Sequence, residues 1–151
     1  MAELPMTDGF FINLHKVLVW PIVLGLMWWF QNTSIEMCVY LALHGTYALL
    51  WLLKQNWYPD ARFNVRRPVW IGVVFVFLPL AGYYVAPYLV ASRHSVLPAP
   101  ALAAIISLYT IGVFLHYVSD AQKFYTLRAK PSLITDGLFS RVRNPNYLVR
   151  S

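Results

Sequence analysis

Charge is what this sequence has least of. Only 12% of its 151 residues are Asp, Glu, Lys or Arg, about half the share usual in soluble globular domains. With 59% of residues hydrophobic and a mean hydropathy of +0.54, a soluble fold of this length could not cover its apolar side chains. Acidic residues are scarcer than basic ones, six against twelve, for a net charge of +6. The basic residues form no stripe with interleaved aromatics, so nucleic acid is not the expected partner. One cysteine, Cys38, excludes an intrachain disulfide and leaves the redox compartment open. Its place in an apolar run predicts a small buried side chain. There is no Gly-x-Gly-x-x-Gly, no phosphate-binding loop and no Gly-x-Ser-x-Gly elbow, which speaks against a soluble dinucleotide-binding domain. His15, His44, His94 and His116 fall in separate segments with no Cys/His pair at ligand spacing, so no metal site is expected. The N-terminus opens with Glu3 and Asp8 and lacks a small-x-small cleavage site, so its first apolar run reads as a retained helix.

What is present is a series of long apolar runs. Four are long enough to cross a bilayer core, which needs about 20 residues. They cover about Phe10–Phe30, Ile35–Leu53, Val69–Val90 and Ala99–Val118. The predicted class is all-α, a polytopic membrane helix bundle of one domain, with a short cytoplasmic segment over 119–151. Pro21, Pro79 and Pro87 lie inside spans, where membrane helices tolerate kinks. Leu97-Pro-Ala-Pro100 reads as a stiff connector. Trp28, Trp29, Trp51, Trp57, Tyr58 and Trp70 sit near span ends, as an interfacial belt requires.

Loop charge predicts the orientation. With the N-terminus cytoplasmic, the inside set is Lys16, Lys54, Arg62, Arg66, Arg67, Lys123, Arg128, Lys130, Arg141, Arg143 and Arg150; Arg93 alone lies outside. Both chain ends are then cytoplasmic, in a bacterial inner membrane or the endoplasmic reticulum.

Polar residues inside spans mark candidate chemistry. Glu36, Tyr40, His44 and Tyr47 share one face of the second span, at spacings of four, four and three. All three residue types can transfer protons, and Glu36, Tyr40 and His44 are the candidate catalytic residues. The bland alternative has Glu36 reaching headgroups and His44 packing between helices. His116, Asp120 and Lys123 form a second stripe at i, i+4 and i+7 that leaves the membrane on the cytoplasmic side. It could line a cofactor site or be a solvated helix end.

The tail is polar and basic. Asp136-Gly137 is a turn signal. Arg141 and Arg143 offer guanidinium groups suited to phosphate or carboxylate. Pro145 disfavours helix at Asn144, and Tyr147 adds a ring and a hydroxyl. A plain membrane-surface turn whose arginines meet anionic lipid would use the same residues.

The stretch Leu133-Ile-Thr-Asp-Gly-Leu-Phe-Ser-Arg-Val-Arg-Asn-Pro-Asn-Tyr-Leu148 resembles a signature of several membrane enzyme families: Gly-(Leu/Pro)-(Phe/Trp/Tyr)-x-x-x-Arg-(His/Asn)-Pro-x-Tyr-x-Gly-Glu. These are the steroid 5-alpha-reductase C-terminal family with its bacterial members, the sterol reductases, and the isoprenylcysteine carboxyl methyltransferases. Ser119-Asp-Ala-Gln-Lys-Phe-Tyr125 resembles the Asp-x-Gln-Lys stretch of the reductase-like members, and Leu52-Leu-Lys54 and Tyr58-Pro-Asp60 resemble the bacterial ones. The specific resemblance covers about 30 residues.

The resemblance implies a cofactor held at the cytoplasmic ends of the helices, NADPH in the reductases or S-adenosylmethionine in the methyltransferases. It implies cofactor-binding roles for Arg141, Arg143, Asn144, Pro145 and Tyr147, for the Gly137 turn, and for Asp120, Gln122 and Lys123. Leu138 and Asp120-x-Gln122-Lys123 tilt it toward a reductase acting on a carbon–carbon double bond in a lipid-soluble substrate. The alternatives are a membrane methyltransferase and a non-catalytic membrane protein. The family's Gly-Glu after the tyrosine is missing, since Tyr147 is followed by Leu148-Val149-Arg150-Ser151. The expectation is an N-terminal part of such an enzyme, inactive as it stands and unable to complete the cofactor pocket alone.

Overall fold

A computed structural model of the protein describes residues 5–142. It is a helical bundle with four helices long and apolar enough to span a membrane. Helix α1 covers Asp8–Trp29, capped by the Thr7 hydroxyl on the Phe10 N–H, with Asp8 in its positive first turn. It runs unbroken through Pro21. Gln31, at φ +48°, turns the chain. Helix α2 covers Ile35–Trp57, capped by Ser34. Helix α3 covers Val69–Arg93 and ends at His94 in the left-handed conformation. Helix α4 covers Ala99–Ala129, with Pro98 before it and Pro100 in its first turn.

Two helices overrun the ranges predicted from apolar length. α2 continues through Lys54 to Trp57, which moves Lys54 from an interfacial loop to a buried helical position at 2% exposure. α4 continues from Ser119 to Ala129, so the first eleven residues of the expected tail are helical. The physical reason is the same in both: the apolar run ends, but good helix formers follow without a breaker. α4 stops where Lys130 precedes Pro131 and turns extended.

The helices alternate in direction. The α1 start meets the α2 end, where Trp51 Nε1 donates to Asn13 Oδ1 at 3.1 Å. At the opposite end, Asn32 Nδ2 donates to the Ala91 carbonyl at 3.0 Å and satisfies an orphan acceptor of the last α3 turn. There too Glu36 Oε1 accepts from the Leu97 N–H at 2.8 Å. A two-residue ladder pairs β1 (Met6–Thr7) with β2 (Arg66–Arg67), and Arg67 Nε reaches Asp8 Oδ1 at 2.8 Å. These contacts tie the α1 start to the loop before α3.

The core is small: Val19, Val23, Met37, Ala48 and Ala91. α1 and α2 approach closely at Gly45, where any Cβ would stand 2.6 Å from the Trp20 indole; small residues serve this purpose in membrane bundles. Large apolar side chains such as Leu108, Ile111 and Phe114 face outward, as a lipid solvent requires.

Two placements differ from expectation. Trp28, Trp29, Trp57 and Trp70 are exposed at span ends, but Trp51 is buried at 6% exposure, nearly two turns inside the α2 end at Trp57. Cys38 is exposed rather than buried, since the α2 face carrying Met37 turns inward and the next residue turns out.

α3 departs twice from ideal geometry. A π-helical turn covers Val73–Phe77, closed by a Leu78 N–H to Val73 carbonyl bond, and a 3-10 turn covers Gly82–Tyr84. Pro79 and Pro87 follow within five residues of these turns and remove the donors that the preceding carbonyls would use.

Candidate functional site

Two cavities adjoin inside the bundle. The outer one, about 770 Å³, lies at the end formed by the α1 start, the α2 end and the α4 end. Its polar wall carries Lys16, Lys54, Arg62 and Lys123, with Asp120 the one carboxylate. Residues 132–135 and Phe139 of the tail add to its lining. The inner cavity, about 530 Å³, lies deeper and is walled by Tyr40, His44, Tyr84 and Tyr109 among apolar residues. Lys16, Tyr47, Leu80 and His116 line both cavities and form the neck between them.

The outer wall is organised around a buried ion pair. Lys54 Nζ bonds directly to Asp120 Oδ2, at 2% and 8% exposure. His116 Nε2 lies 3.7 Å from the same oxygen. The Trp51 indole sits between two ammonium groups, Lys54 at 4.7 Å and Lys16 at 5.7 Å from its ring centre, and Lys16 also lies 4.6 Å from the Tyr47 ring. Aromatic faces stabilise cations held this way. The α2–α3 loop adds Arg62, clamped on Asp60 by its side chain at 2.8 Å through Nε. Burial raises the Asp60 carboxyl, but the Arg62 hydrogen bonds and charge, with Lys123 behind them, outweigh it and leave it below the usual range.

The tail turn is fixed by Gln122. Its Nε2 donates to the Asp136 carbonyl at 2.9 Å and its Oε1 accepts from the Leu138 N–H at 3.1 Å. Gly137 between them has φ +56°, and a Cβ there would strike the Gln122 amide. Asp120 and Lys123 line the outer cavity, and Gln122 holds the turn beside it. Arg141 is exposed on the surface and outside both cavity walls. Arg143, Asn144, Pro145 and Tyr147 lie outside the described residues.

In the inner cavity Tyr40 and His44 stack at 4.0 Å with rings 9° apart, and Tyr109 of α4 comes within 5.1 Å of His44. His44 Nδ1 lies 3.3 Å from the Tyr40 carbonyl. A carbonyl only accepts, so Nδ1 carries the proton and Nε2 is left as an acceptor. Glu36 is not part of this group. Its carboxylate is spent on the Leu97 N–H at the far end of the bundle, which corrects its assignment to the catalytic face.

Four contributors escaped the sequence reading as site residues. Lys16 was counted only as a topological charge, yet Ile12, Lys16, Val19 and Val23 share one α1 face toward the cavities. Tyr109 extends the His116–Asp120–Lys123 stripe inward by seven residues, a signal that was available. Lys54 was masked by the early end assigned to α2. His15 is buried with neither ring nitrogen hydrogen-bonded, packed 4.9 Å from the Tyr84 ring; nothing in its spacing marked it.

Comparison with family models, with curated proteins and with solved structures gave no match.

Proposed function

We propose that the chain is a membrane reductase of the kind its tail resembles, transferring hydride from NADPH to a conjugated double bond of a lipid-soluble substrate. The observation that carries this reading is the charge of the outer cavity: four basic side chains against one carboxylate. NADPH is a polyanion; S-adenosylmethionine carries a sulfonium and an ammonium. A basic vestibule favours the first over the second. Its volume of about 770 Å³ lies in the range of cofactor-sized sites. The excess of Lys and Arg at this end supports a cytoplasmic orientation, where soluble cofactor is available.

When bound, NADPH supplies the hydride. Lys16, Lys123 and Arg62 would hold its phosphates by charge, and Lys54, already paired with Asp120, would keep the wall anchored. Residues 132–135, beside the turn that Gln122 fixes, border the place it would take. The substrate occupies the inner cavity, away from bulk water. Tyr40 and Tyr109 present hydroxyl donors there, and His44 Nε2, which carries no proton, offers an acceptor beside them.

The test is a pair of calorimetric titrations of the purified chain in detergent, one with NADPH and one with S-adenosylmethionine. Because the family's Gly-Glu is missing after Tyr147, the expected result is weak NADPH binding, which falls as salt rises and falls several-fold further on Lys123→Ala. Preferential binding of S-adenosylmethionine would transfer the assignment to the methyltransferases, and binding of neither would leave a non-catalytic membrane protein.

A further inference from the structure

The neck between the two cavities is a ring of four side chains, one from each helix: Lys16 of α1, Tyr47 of α2, Leu80 of α3 and His116 of α4. Two of them are packed rings. Tyr47 lies 6.0 Å from the His116 ring and 5.8 Å from Tyr117. His116 lies 20° from parallel with the Trp51 indole at 6.4 Å, and Trp51 is itself tied to Asn13. Leu80 is short and branched, with few rotamers to choose from.

Lys16 differs from the other three. It stands on a flexible four-carbon stem. Its root is on α1, and its ammonium lies over two rings of α2, 4.6 Å from the Tyr47 centre and 5.7 Å from that of Trp51. The stem therefore crosses from one helix to the next at the level of the neck. Ring faces attract a cation over a range of positions, so this seat restrains the ammonium less sharply than the direct bond to Asp120 restrains Lys54. We propose that the four-residue ring is a gate and that Lys16 is its moving part. With the ammonium on Tyr47 and Trp51, the stem bars the neck. With the side chain swung into the outer cavity, which it also lines, the two chambers join while Tyr47, Leu80 and His116 stay in place. A seated Lys16 keeps solutes of the charged outer chamber out of the chamber walled by Tyr40, His44 and Tyr109. Passage through the neck is independent of what occupies either cavity, so the gate does not rest on the proposed function.

The test measures that passage. The exposed Cys38 is replaced by Ser, and one new cysteine is placed in each chamber, Leu133→Cys in the outer and Val113→Cys in the inner. Each chain is reconstituted in lipid nanodiscs without cofactor. Two membrane-impermeant methanethiosulfonates are then applied, one with a trimethylammonium group and one with a sulfonate, and labelling is followed by intact mass. With Lys16 in place, Leu133→Cys labels fast and Val113→Cys slowly. Adding Lys16→Ala speeds Val113→Cys about tenfold with both reagents, as a minor open form becomes the whole population, and leaves Leu133→Cys unchanged. Lys16→Arg keeps labelling slow, because a guanidinium takes the same seat on the rings. Fast labelling of Val113→Cys with Lys16 in place overturns the proposal, as do equal rates with and without Lys16→Ala. A gain for one reagent only would report a changed field rather than an opened neck. A matching gain at Leu133→Cys would report a loosened bundle, and fast labelling in Lys16→Arg would deny the ring seat its part; each of these three also overturns the gate. The NADPH titration is a separate measurement: a chain that ignores NADPH can still show the gate, and a chain without the gate can still bind NADPH.

Discussion

Replacing Asp120 by Asn tests the outer cavity at its centre. Asp120 and Lys54 are buried together at 8% and 2% exposure, so the substitution leaves the Lys54 ammonium without its counter-charge. Removing one partner of a buried pair costs about 3–5 kcal/mol. The Trp51 ring 4.7 Å away faces the ammonium before and after the substitution, so it cancels in the difference. The loss expected for Asp120→Asn is therefore about 3–5 kcal/mol, read as a shift in the denaturant midpoint of the chain in mild detergent. The double variant Lys54→Met with Asp120→Leu removes both charges and recovers most of the loss, since apolar replacements of buried pairs are near neutral. The coupling energy from the full cycle isolates the pair. Meanwhile Asp120→Asn makes the cavity more positive, so its affinity for a polyanion holds or rises while stability falls. A loss under about 1 kcal/mol, the scale of an exposed pair, would refute the claim that Lys54 and Asp120 meet in a water-poor wall.

Two further outcomes follow from the periphery of the site. Gly137→Ala imposes a side chain at φ +56° against the Gln122 amide and costs about 1–2 kcal/mol locally; limited proteolysis should show faster cleavage over residues 130–140 while the helices stay protected, and unchanged cleavage would contradict the hold of Gln122 on the turn. The Asp60 carboxyl is lowered in the fold, so its pairing with Arg62 stabilises the α2–α3 loop above the unfolded carboxylate range and is lost as pH falls through the folded value. Arg62 is largely exposed, so the effect stays under about 1 kcal/mol; Asp60→Asn should flatten the acid limb of the stability profile, and an identical profile in the variant would remove Asp60 as its source.

How much was legible follows from the kind of signal each feature carries. Apolar length marked all four spans, because a bilayer imposes it directly. The span ends at Leu53 and Val118 were set too early, since a helix can outlast its apolar run and hydropathy does not report where it stops. The stripes Tyr40–His44–Tyr47 and His116–Asp120–Lys123 were visible because a shared helical face is a spacing property. Their convergence on one pair of cavities was not, since it depends on which helices pack. Glu36 belonged to the first stripe by spacing and left it because the Leu97 amide lay closer. The partners Lys54 and Asp120 stand 66 residues apart, and no local pattern relates them.

The π turn in α3 has a consequence for how such a wall arises. One residue beyond the ideal repeat rotates everything after it by about 100° about the helix axis. Phe75 and Val76 come before that offset is complete, Leu80 and Tyr84 after it, and all four nonetheless border the cavities. Removing one residue from 73–77 would turn Leu80 by about 100° relative to the first half of α3. Leu80 borders both cavities, so the neck between them depends on that one-residue offset.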